Sequence, residues 1–198
     1  SDGQTALLVE GARRVGKSTV VEEFAKNEYE SYILIDFAAA SQFVKDLFQD
    51  ISDLNYIFLQ LQLQYRVDLQ ERKSLIIFDE IQLCPYARQA IKFLVKDHRY
   101  DYVETGSLIS IRQNVKDILI PSEERRVNMY PMDYEEFRWA LGDRTTVPLL
   151  ESVYQSRKPL GDQMNRRLMR DFRLYMLVGG MPQAVDAYIQ TNNLRKVD

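Results

Sequence analysis

The chain has 198 residues, 45% of them hydrophobic and 28% charged, with 26 Lys and Arg against 29 Asp and Glu and a formal net charge of −3. That mix excludes a chain disordered throughout and a generally basic nucleic-acid binder, while leaving room for a local basic patch. A single cysteine, Cys84, excludes an intrachain disulfide and argues against a cysteine-based metal site, so a reducing, cytoplasmic setting fits.

The longest apolar run, Leu174 to Val178, is five residues, too short to span a bilayer. The opening SDGQTALLVEG carries no secretory signal pattern. A start at Ser1 rather than Met, and an end at Asp198, suggest a piece of something longer.

In chain order, Ala6–Glu10 (ALLVE) predicts a strand buried on both faces, and Lys17–Asn27 a helix whose Val20, Val21 and Phe24 share a side. Tyr32–Phe37 predicts a second strand. The stretch Tyr56–Leu69 reads two ways. Leu59, Leu61, Leu63, Tyr65, Val67 and Leu69 alternate as in a strand, whereas Phe58, Leu61, Tyr65 and Leu69 make a helical stripe. A parallel sheet needs a crossover here, which favours the helix. Leu75–Asp79 predicts a third strand, Ala87–Lys96 a helix with Ala90, Ile91, Leu94 and Val95 inward, Tyr100–Thr105 a fourth strand and Arg126–Tyr130 a fifth. Strands alternating with helices indicate an α/β fold. From about residue 131 the pattern turns helical. YPMDYEEFRWAL reads as a helix, LGDRTTVPLLES as a loop-rich link, and Asp162–Val178 as a long helix ended by Gly179-Gly180 and Pro182. The expected division is a core over 1–130 and a helical subdomain over 131–198.

Gly11-Ala12-Arg13-Arg14-Val15-Gly16-Lys17-Ser18 fits G-x-x-x-x-G-K-[ST], between a buried strand and an amphipathic helix. Gly11 permits a sharp exit from the strand, and Gly16 lets backbone N–H groups close on phosphate at a helix N-terminus. Lys17 supplies a positive charge for the β and γ phosphates, Ser18 a hydroxyl for Mg²⁺, and Thr19 a further phosphate contact. The bland alternative is a glycine-rich turn with an incidental lysine.

Leu75-Ile76-Ile77-Phe78-Asp79-Glu80 is an apolar strand ending in two carboxylates at the sheet edge where α/β proteins bind ligands. Asp79 is the expected acidic partner of Ser18 at Mg²⁺, and Glu80 the group that accepts a proton from the water attacking the γ phosphate. Two solvated acids at a strand end are the alternative.

GARRVGKST, LIIFDEIQ, ETGSL, the arginine pair before VNMYPMDYEEF, and VGGMP, in this order, resemble the prokaryotic ATP-binding proteins of the AAA-type P-loop ATPase superfamily, in the group whose ATPase core precedes a C-terminal domain of uncertain function. The resemblance covers nearly the whole chain. It implies a P-loop NTPase three-layer α/β core with a five-stranded parallel sheet, the phosphate-loop strand central, a small α-helical lid subdomain, and ATP with Mg²⁺ as ligands. The group's C-terminal domain, somewhat like restriction endonucleases, would lie beyond Asp198. The resemblance also implies that Thr105 or Ser107 positions the attacking water, that Arg125 or Arg126 reaches a γ phosphate in cis or in trans, and that Gly179–Pro182 packs near adenine. Ordinary readings compete with each of these: a strand-ending turn, a solvated pair beside Glu123 and Glu124, and a helix C-cap.

Arg166, Arg170 and Arg173 share a helix face, with Arg157, Lys158 and Arg167 nearby. A solvated face over a stripe of Leu168, Phe172, Tyr175 and Met176 is the plain reading; a γ-phosphate sensor or a nucleic-acid surface are the others. His98 at a helix end lacks metal or triad partners, Cys84 reads as structural, and Gln82 as a weak candidate for nucleotide or water. The expected activity is Mg-dependent ATP hydrolysis coupled to lid movement. A slow nucleotide-bound switch that presents a surface to a protein partner or a homo-oligomer is the alternative, and a DNA-stimulated motor the weaker one. No membrane partner is expected.

Overall fold

The computed structural model describes residues 5–107 and 124–197. The chain divides into two compact units, Ser1–Met129 and Tyr130–Asp198. Glu123, set above beside the arginine pair, lies outside the described residues.

In the first unit the described elements are β1 (Ala6–Gly11), α1 (Lys17–Glu28), β2 (Ser31–Asp36), α2 (Gln42–Asp46), α3 (Leu54–Tyr65), β3 (Ser74–Asp79), α4 (Pro85–Asp97), β4 (Asp101–Ser107) and β5 (Glu124–Met129). Among the described residues, five strands form one sheet in the order β2-β3-β4-β1-β5, with every pairing parallel. This is the expected α/β P-loop NTPase core. The phosphate-loop strand β1 is interior, flanked by β4 and β5, but the middle position belongs to β4.

Strand alternation divides the side chains between two faces. Leu8, Ile33, Ile35, Ile76, Phe78 and Tyr102 pack with α3 and α4, through Ile57, Phe58, Leu61, Ala90, Ile91 and Leu94. Val9, Leu75, Ile77 and Val103 pack on the other face with Val21 and Ala25 of α1. The result is three layers. All six residues of β3 are buried, as the apolar run Leu75–Phe78 at its centre leads one to expect. Burying a residue such as Phe58 or Leu61 contributes about 2 kcal/mol, so a charge at either position would separate α3 from the sheet.

The ambiguous stretch is helical. Ile57, Phe58 and Leu61 are inside, whereas Leu59 and Leu63 are 52% and 64% exposed, which no half-buried strand would produce. The helix ends earlier than expected: Arg66 takes the left-handed conformation at φ 54, and Val67 and Leu69 lie beyond it. On α1 the inward side is Val21 and Ala25, while Val20 and Phe24 are half exposed, a correction to the predicted stripe. The fifth strand starts at Glu124 rather than at Arg126, so both Arg125 and Arg126 lie within it.

In the second unit the described helices are α5 (Tyr134–Ala140), α6 (Thr146–Gln155), α7 (Asp162–Val178) and α8 (Pro182–Thr191). Asp133 and Glu136 form a reciprocal capping box at α5. Phe137, Val178 and Val185 make the small core. The predicted loop-rich link contains α6. Just ahead of it, Asp143 accepts from the backbone N–H groups of Thr145 (2.9 Å) and Thr146 (3.0 Å), and it also pairs with Arg138. The boundaries of α7 match the expectation, and its inward residues do so in part. Val178 is buried, Leu168 and Tyr175 are half-buried, and Phe172 and Met176 are exposed. Pro182 is the first residue of α8, so it opens a helix as well as following one. No described helix is long and apolar enough to cross a membrane.

Candidate functional site

Parallel pairing brings the carboxyl ends of β3, β4 and β1 to one edge of the sheet. Gly11 lies opposite Ser107, Val9 opposite Thr105, and Phe78 opposite Glu104, so the next residue, Asp79, arrives beside Thr105. The loop after Gly11 turns through two left-handed residues, Arg14 (φ 64) and Gly16 (φ 93). Val15 is buried and anchors the loop, while Arg13, Arg14 and Thr19 face outward. The N-cap of α1 is Gly16, which has no side chain to cap it, and this favours an anion at the first N–H groups, with the helix dipole adding attraction. Gly11 has a different role from the one expected. A Cβ there would collide with the carbonyl of Met129 on β5, so glycine is needed for close strand approach.

Lys17 is 6% exposed, and its Nζ donates to the carbonyls of Ala12 (2.7 Å) and Gly11 (3.3 Å), folding the ammonium back over the loop. Burial pulls its pKa below the ordinary lysine value, and the negative charges of Glu80 and Asp79 oppose that pull.

Asp79 is the hub opposite the loop. Its Oδ1 accepts from Ser18 Oγ at 2.8 Å and from the Thr105 hydroxyl. Thr105 Oγ1 in turn accepts the Glu80 backbone N–H at 3.4 Å. Glu80 is left-handed (φ 54) and half-buried, with its Oε2 accepting from Gln82 Nε2. The two acids therefore have different surroundings: Asp79 faces the loop hydroxyl, and Glu80 bends over the start of a turn. The donors Ser18 Oγ and Asp79 Oδ1 are hard oxygens already in contact, which fits Mg²⁺, an ion that takes one or two protein oxygens and completes its shell with water and substrate phosphate. Among the described residues, no group of three or more His, Cys, Asp or Glu side chains forms a separate metal cage.

Lys17, Ser18, Asp79, Glu80 and Thr105 are thus brought together, and Ser107, 6% exposed, lies beside Gly11. Arg126 is not brought to this edge. It pairs with Leu8, three positions before the Gly11–Met129 pair and hence about 10 Å back along the strand, and its Nε binds Glu124 at 3.2 Å. Arg125, opposite Leu7, is farther still.

Sequence reasoning missed a buried charge network behind the site. Arg88, on α4 and 1% exposed, reaches Glu104 Oε2 at 3.5 Å and Glu124 at 2.9 and 3.2 Å. Burial, reinforced by Glu124, raises the Glu104 pKa to about 8, against the opposing pull of Arg88 and Arg126. The signal was present: Arg88 falls at helical spacing with Ile91 and Val95 on the inward stripe, and Glu104 interrupts a buried strand.

The family model described as AAA domain matches residues 3–138. Among curated proteins, none matches this sequence. Of solved structures, PCH-2 of C. elegans aligns over 96% of this chain and 56% of its own, at 11% identity and a TM-score of 0.48. The ORC1 protein of Aeropyrum pernix, solved in complex with DNA, aligns over 71% of this chain and 43% of its own, at 13% identity and a TM-score of 0.45. Hsp104 in a closed state with ATPγS and casein aligns over 76% of this chain and 27% of its own, at 14% identity and a TM-score of 0.44. The chain spans between about a quarter and just over half the length of these three.

Proposed function

Since the chain belongs to the AAA domain family of P-loop ATPases, matched over residues 3–138, we propose that it binds ATP with Mg²⁺ and hydrolyses it, and that the nucleotide state moves the second unit as a lid. The observation that carries this reading is the contact of Ser18 with Asp79 at the mouth of the phosphate loop, with Thr105 bound to the same carboxylate oxygen.

In this proposal the N–H groups at the start of α1 and the Lys17 ammonium hold the triphosphate. Lys17 exchanges its carbonyl partners for phosphate oxygens, which accept more strongly because they are charged. Ser18 and Asp79 hold Mg²⁺. When bound, the ion draws phosphate oxygens together and neutralises the charge that builds on them. Glu80 accepts a proton from the attacking water, and Thr105 or Ser107 orients that water. The work is positioning and electrostatics rather than covalent catalysis. Arg126 has no part in cis here, because it is held by Glu124 away from the loop. Exposed on the edge strand, Arg125 and Arg126 support a contact with a neighbouring copy, which sizing of the chain with and without ATP would test. A cytoplasmic location belongs to the same proposal.

The test is equilibrium ATP titration with and without Mg²⁺, paired with single-turnover hydrolysis. Glu80→Gln keeps ATP binding and stops turnover but for a small residual rate. A normal rate in that variant would remove Glu80 as the base. Tight wild-type binding with almost no phosphate release would replace turnover by the slow nucleotide-bound switch.

A further inference from the structure

Glu80 leaves β3 in the left-handed conformation, and the following Ile81–Leu83 close a 3-10 turn. Leu83 N–H donates to the Glu80 carbonyl at 2.9 Å, and Cys84 N–H to that of Ile81 at 3.0 Å. Ile81 is fully buried in the core, so the turn is anchored. In a strand, side chains two positions apart share a face but stand about 7 Å from each other, and the turn at Glu80 brings those of Glu80 and Gln82 into contact. Gln82, 5% exposed, uses this reversal, and its Nε2 donates to Glu80 Oε2. An ionised carboxylate only accepts, so the amide must present its nitrogen.

We infer that Gln82 is the positioning residue of the water-activating carboxylate. It engages one oxygen of Glu80 and leaves the other, Oε1, to receive the water proton, fixing the direction of proton transfer. Thr105 holds the same residue by its main chain, through the 3.4 Å bond from Glu80 N–H, so the base is gripped at both ends. This inference rests on the reading of Glu80 given under Proposed function. Asparagine at position 82 is one methylene too short for the reach, and glutamate would set like charges against each other.

The test uses the full chain and the variants Gln82→Ala, Gln82→Glu, Glu80→Gln and the double variant Glu80→Gln/Gln82→Ala, each measured for ATP affinity and single-turnover rate. Gln82→Ala slows hydrolysis about 10- to 100-fold, as expected when a reacting group loses its alignment. ATP affinity stays within about twofold, because the contact removed is to Glu80 rather than to a phosphate-holding group. In the Glu80→Gln background, Gln82→Ala adds no further loss. Gln82→Glu, which keeps the side-chain volume, is slowed at least as much as Gln82→Ala. A separate readout needs no turnover: the Gln82 side-chain amide resonance shifts in Glu80→Ala. A wild-type rate in Gln82→Ala, an equal penalty in both backgrounds, or an unmoved amide resonance overturns the inference while leaving ATP hydrolysis intact. Normal turnover by Glu80→Gln overturns the assignment of the base and this inference together.

Discussion

Ser18 Oγ and Asp79 Oδ1 lie 2.8 Å apart although 61 positions separate them in sequence. One stands in the first turn of the helix after β1 and the other at the end of β3, two strands away across β4. Their contact defines the cation end of the candidate site, and the predictions below test it and its surroundings.

Removing the hydroxyl tests the metal role. Ser18→Ala weakens ATP binding about tenfold in Mg²⁺, the order expected for one hydrogen bond or ligand to a charged group. Without Mg²⁺ the same substitution changes little. Calorimetric titration under both conditions reads the difference, and an equal loss in both would assign Ser18 to phosphate alone.

Lys17→Ala weakens ATP binding about 100-fold or more, since two charge-assisted contacts of roughly 1.5–3 kcal/mol each are lost. The fold stays intact, because among the described residues Lys17 donates only to the carbonyls of its own loop. Thermal melting beside nucleotide titration separates these effects: an unfolded variant would mean that the lysine holds the loop rather than the ligand.

Gly11→Ala destabilises the chain by about 1–3 kcal/mol through overpacking, because its Cβ meets the Met129 carbonyl across the β1–β5 pairing. Urea unfolding measures it. The backbone at Gly11 is not left-handed, so relief by a φ-tolerant residue such as asparagine is not expected.

Glu104 makes stability fall as pH rises. Its folded pKa of about 8 lies above the ordinary value of 4.5, so between those values the folded chain keeps a proton that the unfolded chain has released. The stabilisation is whole below pH 4.5 and lost as pH passes 8, with a slope of at most ~1.4 kcal/mol per pH unit. Melting temperatures from pH 5 to 8.5 decline less in Glu104→Gln than in the wild type. Parallel curves would show that Arg88 keeps Glu104 ionised throughout.

Much of this molecule was legible beforehand. Near-continuous apolar runs at Ala6–Glu10 and Leu75–Asp79 marked buried parallel strands, and the phosphate-loop spacing marked the turn between β1 and α1. Local patterns failed where local chemistry was indifferent. Leu59 and Leu63 fit a strand as well as a helix until Ile57, Phe58 and Leu61 found the sheet. Thr146–Gln155 begins at the second of a threonine pair, carries a proline and reads as a link, yet it is a helix, with Asp143 accepting from the N–H groups of Thr145 and Thr146 at its start.

By itself the sequence determined the alternation of strands and helices, the glycine-lysine-serine loop and the acidic strand end, because each depends on residues close together in the chain. Only the tertiary structure decided the partners: Asp79 with Ser18 and Thr105, Gln82 with Glu80, and Arg88 with Glu104 and Glu124. It also removed Arg126 from the loop edge, since parallel register sets that residue beside Leu8. The physical reason is that strand order and register are set by burial summed over the whole sheet, and no short window of sequence carries that sum.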